Sequence, residues 1–126
     1  MEKQVIQEKL KNSPGIIYNV TKNKLEITGR SIPENPEVIF RKLDDWLSEY
    51  IEKNNDLDLQ IQLEYINSAS SKYLNETLKN IAVARNNGKN IHIKWFYDED
   101  GKISETFFGI DGLPKKENEN GIIKVR

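Results

Sequence analysis

Leu57-Asp-Leu-Gln-Ile-Gln-Leu-Glu-Tyr-Ile-Asn-Ser-Ala-Ser-Ser-Lys-Tyr-Leu74 is the stretch that decides the fold. Leu57, Leu59, Ile61, Leu63 and Tyr65 alternate with Asp58, Gln60, Gln62 and Glu64. A period of two is the mark of a strand with one apolar and one polar face. The alternation ends at Asn67. Three serines follow, and then Leu74, Leu78, Ile81 and Ala82 fall on one helical stripe. A strand is therefore expected to hand over directly to a helix at Asn67–Ser68.

On the N-terminal side, Ile39, Phe40, Leu43, Trp46, Leu47, Tyr50 and Ile51 are spaced by threes and fours. They predict an amphipathic helix that starts at Asn35-Pro36, with Asn as cap and Pro at the first helical position. It is expected to end near Lys53-Asn-Asn-Asp56. Further back, Ile16–Val20 and Leu25–Ile27 read as a hairpin about Thr21-Lys-Asn-Lys24. Gly29 to Asn35 reads as a loop.

On the C-terminal side, Asn86-Asn-Gly88 supplies a helix stop. Ile91, Ile93, Trp95 and Tyr97 form another alternating strand, broken by Asp98-Glu-Asp-Gly101. Beyond Lys102 the pattern weakens. Ser104–Phe108 reads as a short helix, Lys115–Gly121 as a loop and Ile122–Val125 as a last strand.

The order is β-β-α-β-α-β. The strand–helix–strand unit from Leu57 to Tyr97 implies a right-handed crossover between parallel strands. One-sided strands imply helices on one sheet face only. The expectation is a single-domain α/β protein with a four- or five-stranded mixed sheet and two main helices packed on one face. Residues 1–12 are expected as a polar N-terminal segment, frayed or helical, and 13–126 as the domain.

Composition removes whole classes of function. The chain has 126 residues, enough for one core, and a net charge of −1. That balance argues against nucleic acid as the main partner. There is no cysteine and one histidine, His92. Thiolate chemistry and a His-rich metal site are therefore absent, and a Ser-His-Asp triad has to use a residue in mid-strand. Without a nucleophile–base pair the chain does not read as an enzyme. No catalytic residue, metal or cofactor is expected. Asp98, Glu99 and Asp100 read as a solvated turn, Trp46 and Trp95 as core aromatics. No apolar run reaches the length of a membrane span and no signal core is present, so a cytoplasmic location is expected, with no membrane partner.

The serine cluster is what remains. The simplest reading makes Ser68 a helix cap, worth about 1 kcal/mol. A second reading makes it a switch. A phosphoryl group adds about −1.5 to −2 charges. A helix N-terminus tolerates that charge, and Lys72, one turn on, partly neutralises it. The fold survives while a neutral docking surface becomes anionic.

Four signatures in register carry a resemblance over residues 12–100. They are Ser13-Pro14; Leu25-Glu-Ile-Thr-Gly29 with Ser31-Ile-Pro-Glu-Asn-Pro36; Trp46-Leu47 with Tyr50; and Leu63-Glu-Tyr-Ile-Asn-Ser68 with Ser70-Ser-Lys72, followed by Trp95-Phe-Tyr-Asp-Glu-Asp100. The chain resembles the SiaC family of bacterial regulatory phosphoproteins, which are similar to anti-sigma factor antagonists, and so implies a STAS-like fold. The resemblance implies a non-enzymatic signalling protein. A partner serine/threonine kinase phosphorylates the residue after the Asn that ends the strand, here Ser68 rather than Ser70 or Ser71. A metal-dependent phosphatase reverses this. The unphosphorylated form binds a diguanylate cyclase, in cyclic di-GMP signalling, or a similar target. The partner surface implied is Asn67, Ser68, Ser71 and Lys72, with Glu34 and Asn35. The chain departs from the family at Gly101-Lys102, at Ala69 and in the tail after Gly109. The alternative reading is a constitutive interaction module that binds through the polar sheet face, with Ser68 only a cap.

Overall fold

A computed structural model describes residues 3–96 of the chain, Trp95 and Phe96 by backbone alone. The elements run β1 (Lys3–Gln7), β2 (Gly15–Asn19), β3 (Lys24–Ser31), α1 (Pro36–Lys53), β4 (Asp56–Ile66), α2 (Ser68–Asn86) and β5 (Asn90–Phe96). The five strands form one sheet in chain order. The β1–β2 and β2–β3 pairs are antiparallel; β3–β4 and β4–β5 are parallel. The sheet is thus mixed and accompanied by two helices, as the periodicities predict, and has five strands, within the expected four or five, the fifth being β1.

Both crossovers step in the same direction across the sheet. Crossovers of one hand then place both helices on the same face. Ile16, Leu25, Ile27, Leu59, Ile61 and Ile93 point at that face, and Phe40, Leu43, Leu74, Leu78 and Ile81 meet them from the helices. The opposite face carries exposed Gln62, His92 and Lys94.

Three features differ from expectation. The N-terminal segment holds a strand rather than a frayed or helical stretch: β1 pairs Val5 with Ile17 along the sheet edge. Its polar residues find partners on α1. The Trp46 indole donates to Gln4 Oε1 at 3.1 Å, and Lys42 Nζ donates to Gln7 Oε1 at 3.0 Å. Second, β3 continues through Gly29, Arg30 and Ser31, which the sequence assigns to a loop. Third, β4 carries a bulge. Gly29 faces Leu63 but Arg30 faces Tyr65, so Glu64 is an extra residue on β4. The alternation slips there: Leu63 is buried, whereas Tyr65 is 53% exposed instead of facing the core.

Helix α1 starts at Asn35-Pro36 as expected, but the Asn35 side chain makes no capping hydrogen bond. Helix α2 ends before Gly88, whose φ of +100° suits glycine alone. Trp46 is half-buried and stacks on Tyr50 with ring centroids 4.9 Å apart. Tyr97, the Asp98–Asp100 cluster, the Ser104–Phe108 and Ile122–Val125 elements and the side chain of Trp95 lie outside the described residues. No helix among the described residues is long and apolar enough to cross a membrane.

Candidate functional site

Parallel strands β3 and β4 end side by side, at Ser31 and Ile66. The loop after β3 leads to α1, and β4 leads straight into α2. Both helix N-termini therefore lie at the carboxyl edge of the sheet, where open α/β sheets generally bind their ligands.

The junction is stitched by four hydrogen bonds. The Asn67 N–H donates to Ser31 O at 3.1 Å. The Ser70 N–H donates to Asn67 Oδ1 at 2.9 Å, and the Ser71 N–H donates to Asn67 O at 2.9 Å. The Ser31 hydroxyl donates to Ser70 Oγ at 2.9 Å, in a pair that is fully buried. Asn67 therefore caps α2, and Ser68 does not: Ser68 is the first helical residue, Ala69 the second, and Ser70 the third, whose N–H a cap side chain ordinarily receives. The cap expected at Ser68 is corrected to Asn67. The reason is local, because the side-chain oxygen must sit on the residue still in extended backbone, and Asn67 is that residue, with ψ 175°.

Ser68 is left exposed, its hydroxyl outside the cap. Ser70 is 0% exposed and Ser71 8%. They pack the helix start against the strand ends. Lys72 is exposed. The first turn of α2 contains no acidic residue, so nothing in it offsets the positive end of the helix dipole. Glu34 and Asn35 are both exposed, on the loop that leaves the sheet at Ser31. Among the described residues no hydrogen bond joins either to Ser68.

Two residues beside the junction escape the sequence reading. Arg30 and Tyr65 face each other just past the bulge, with Arg30 Cζ 6.0 Å from the centre of the Tyr65 ring. Ser31, partner of Ser70, is the third. Its only sequence signal is a place in the Ser31–Pro36 segment, which reads as loop.

His92 sits beside Asp58, near the start of β4. Eight strand residues separate that point from Ile66, roughly 26 Å at about 3.3 Å per residue. The one imidazole is thus at the wrong end of the sheet to serve Ser68 as a base. Among the described residues no group of three or more His, Asp or Glu converges as a metal site.

Comparison with known proteins places this geometry. An uncharacterized protein of Pseudomonas aeruginosa strain UCBPP-PA14 is 27% identical over 88 residues, 69% of this chain and 70% of its own length. The structure of SiaC of P. aeruginosa superposes with a TM-score of 0.75 at 25% identity, over 85% of this chain and 89% of that one. The fold of apo-SiaC from the same organism matches at a TM-score of 0.79 and 22% identity over 98% of both chains. A chain of the crystal structure of diguanylate cyclase SiaD in complex with its activator SiaC matches at 0.78 and 23%, over 94% and 97%. A family model, the SiaC family regulatory phosphoprotein, matches residues 7–108. The chain belongs to that family.

Proposed function

We propose that this is a non-enzymatic signalling protein that docks onto a regulatory target through the surface around Ser68, and that phosphorylation of Ser68 switches the docking. The observation that carries the reading is the cap assignment. Because Asn67 caps α2, the Ser68 hydroxyl is exposed and its modification costs the fold no hydrogen bond.

A phosphoryl group at this first helical position brings about −1.5 to −2 charges to a helix end that tolerates anions. The acid-free first turn and Lys72 favour it further. The fold is kept while the surface beside Arg30 and Tyr65 turns anionic. A partner kinase and a metal-dependent phosphatase would set the state. SiaC of P. aeruginosa is the activator of the diguanylate cyclase SiaD, and a diguanylate cyclase is the target inferred for this chain. The distance of His92 from the junction supports a non-catalytic role.

The alternative of a constitutive module that binds through the polar sheet face keeps its binding surface but not its cap role for Ser68, since the cap is Asn67. Protein recovered from its native cells, analysed by intact mass and fragmentation, tests the choice. A single phosphate on Ser68, missing from S68A, is the expected result. Phosphate found only on other residues overturns it.

A further inference from the structure

At the far end of the helix layer from Ser68, α1 and α2 part to form a groove of about 670 Å³. Its floor is apolar: Leu47, Ile51, Ile81, Val83 and Ala84 line it. Val83 is 58% exposed, a large aliphatic side chain left to water at this groove, more so than Val38 of α1 at 47%. The α1 rim is acidic, with Asp44, Asp45, Glu49 and Glu52 in succession. The lining cation, Lys89, is already engaged: its ammonium donates to Asn54 O and Asn55 Oδ1, each at 3.0 Å. Lys53 approaches Glu49 only at 3.9 Å with both side chains about 70% exposed, a contact too solvated to neutralise the rim.

We propose that this groove docks a basic amphipathic helix, its apolar stripe on Val83, Ala84 and Ile51 and its Lys or Arg residues over the α1 carboxylates. An apolar floor with a one-sided charged rim is the surface that helix-in-groove recognition uses. The α1 rim from Asp44 to Glu52 runs for roughly 12 Å at about 1.5 Å per residue, two to three turns of a bound helix. Charge decides the sign of the partner. Burial chiefly, against the opposing Thr77 hydrogen bond, holds the Asp44 carboxyl above the ordinary range, and the neighbouring Asp45 and Glu76 repel its charge in addition. A cation laid on this rim relieves the repulsion; an anion adds to it. Residues 97–126 of the chain are a poor fit by the same measure, with seven carboxylate side chains against five basic ones.

The site is separate from the switch. Thr77, at the groove, follows Ser68 by nine helical residues, roughly 14 Å along α2. Docking here is expected to be independent of the state of Ser68, and its test stands whether or not the Ser68 reading does.

Two helical peptides test it, sharing one leucine stripe at i, i+3, i+4 and i+7 but flanked by lysine and arginine in one and by glutamate in the other. Each is titrated by fluorescence anisotropy and by amide chemical shifts of the labelled full chain. The basic peptide is expected to bind about tenfold or more tightly than the acidic one, with weakening in added salt. Shifts should centre on Ile51, Thr77, Val83 and Ala84. The exposed pair E49K/E52K leaves the rim with two carboxylates against two lysines and is expected to abolish the preference for the basic peptide without loss of folding. Equal binding of the two peptides, binding of neither, shifts centred elsewhere, or a groove closed by a second copy of the chain in sedimentation would each overturn the proposal.

Discussion

Asn67 Oδ1 lies 2.9 Å from the backbone nitrogen of Ser70, while the hydroxyl of Ser68, the first helical residue, takes no part in the cap. The two neighbours in sequence thus have opposite thermodynamic weight. Removing the cap in Asn67→Ala should cost about 1 kcal/mol, within a range of about 0.5–2. Ser68→Ala should stay within about 0.5 kcal/mol of wild type, as an exposed surface change. Urea unfolding of the two variants measures both; a costly S68A beside a neutral N67A would reverse the cap assignment.

The Ser31–Ser70 pair ties the end of β3 to the first turn of α2, with both residues 0% exposed. Either single alanine leaves the other hydroxyl buried and short of a partner, at a cost of about 1–3 kcal/mol. Removing both should cost clearly less than the sum, with a coupling of about 0.5–3 kcal/mol in a double-mutant cycle. Additive costs would mean that the two hydroxyls do not depend on each other.

Phosphate-like charge at position 68 should not harm the fold. Ser68→Asp places a carboxylate in an acid-free first turn, where the dipole favours it by about 0.3–1 kcal/mol at low ionic strength. The urea midpoint should equal or exceed that of wild type, and the gain should shrink in salt. If S68D instead unfolds the protein, a switch that acts on docking alone is ruled out.

Asp44 gives the stability a pH dependence. Burial, opposed by the hydrogen bond from Thr77 and reinforced by Asp45 and Glu76, raises its folded value above the ordinary 3.8. The folded state therefore binds this proton more tightly than the unfolded chain. The contribution is fully present below the unfolded value and is lost as pH rises through the folded one. Asp44→Asn keeps an acceptor for the Thr77 hydroxyl, 2.7 Å away in wild type, and does not titrate. Relative to wild type, D44N should gain stability from the acid side of the carboxylate range up to neutrality. Parallel pH–stability curves for the two proteins would remove Asp44 as the source.

How far the sequence speaks depends on how one-sided each element is. Helix α1, the body of β4, helix α2 and β5 bury one face and wet the other, so their periods are plain in the chain. Strand β1 hides because Gln4 and Gln7 occupy positions facing α1, and their polarity is satisfied by Trp46 and Lys42 only once the chain is folded. The bulge leaves no trace either: Leu63, Glu64, Tyr65 continues the alternation on paper, and only the pairing with β3 shows the slip. At the site, the adjacency of Asn67 and Ser68 to a helix start is legible, but the choice of cap is not. Asn and Ser are about equally good caps, and the tether of Asn67 to Ser31, distant in sequence, is what sets the helix boundary.

The extra residue at Glu64 divides β4 into two regions under different constraints. Up to Leu63 the alternate residues Leu57, Leu59, Ile61 and Leu63 answer to the interior, where one methylene more or less is felt. Past the bulge Tyr65 is rotated out of that obligation, while Ile66 still packs against the core. The ring at Tyr65 and the cation at Arg30, both exposed, can therefore be exchanged without repacking anything beneath them. The bulge frees this part of the surface while the scaffold beneath it stays fixed.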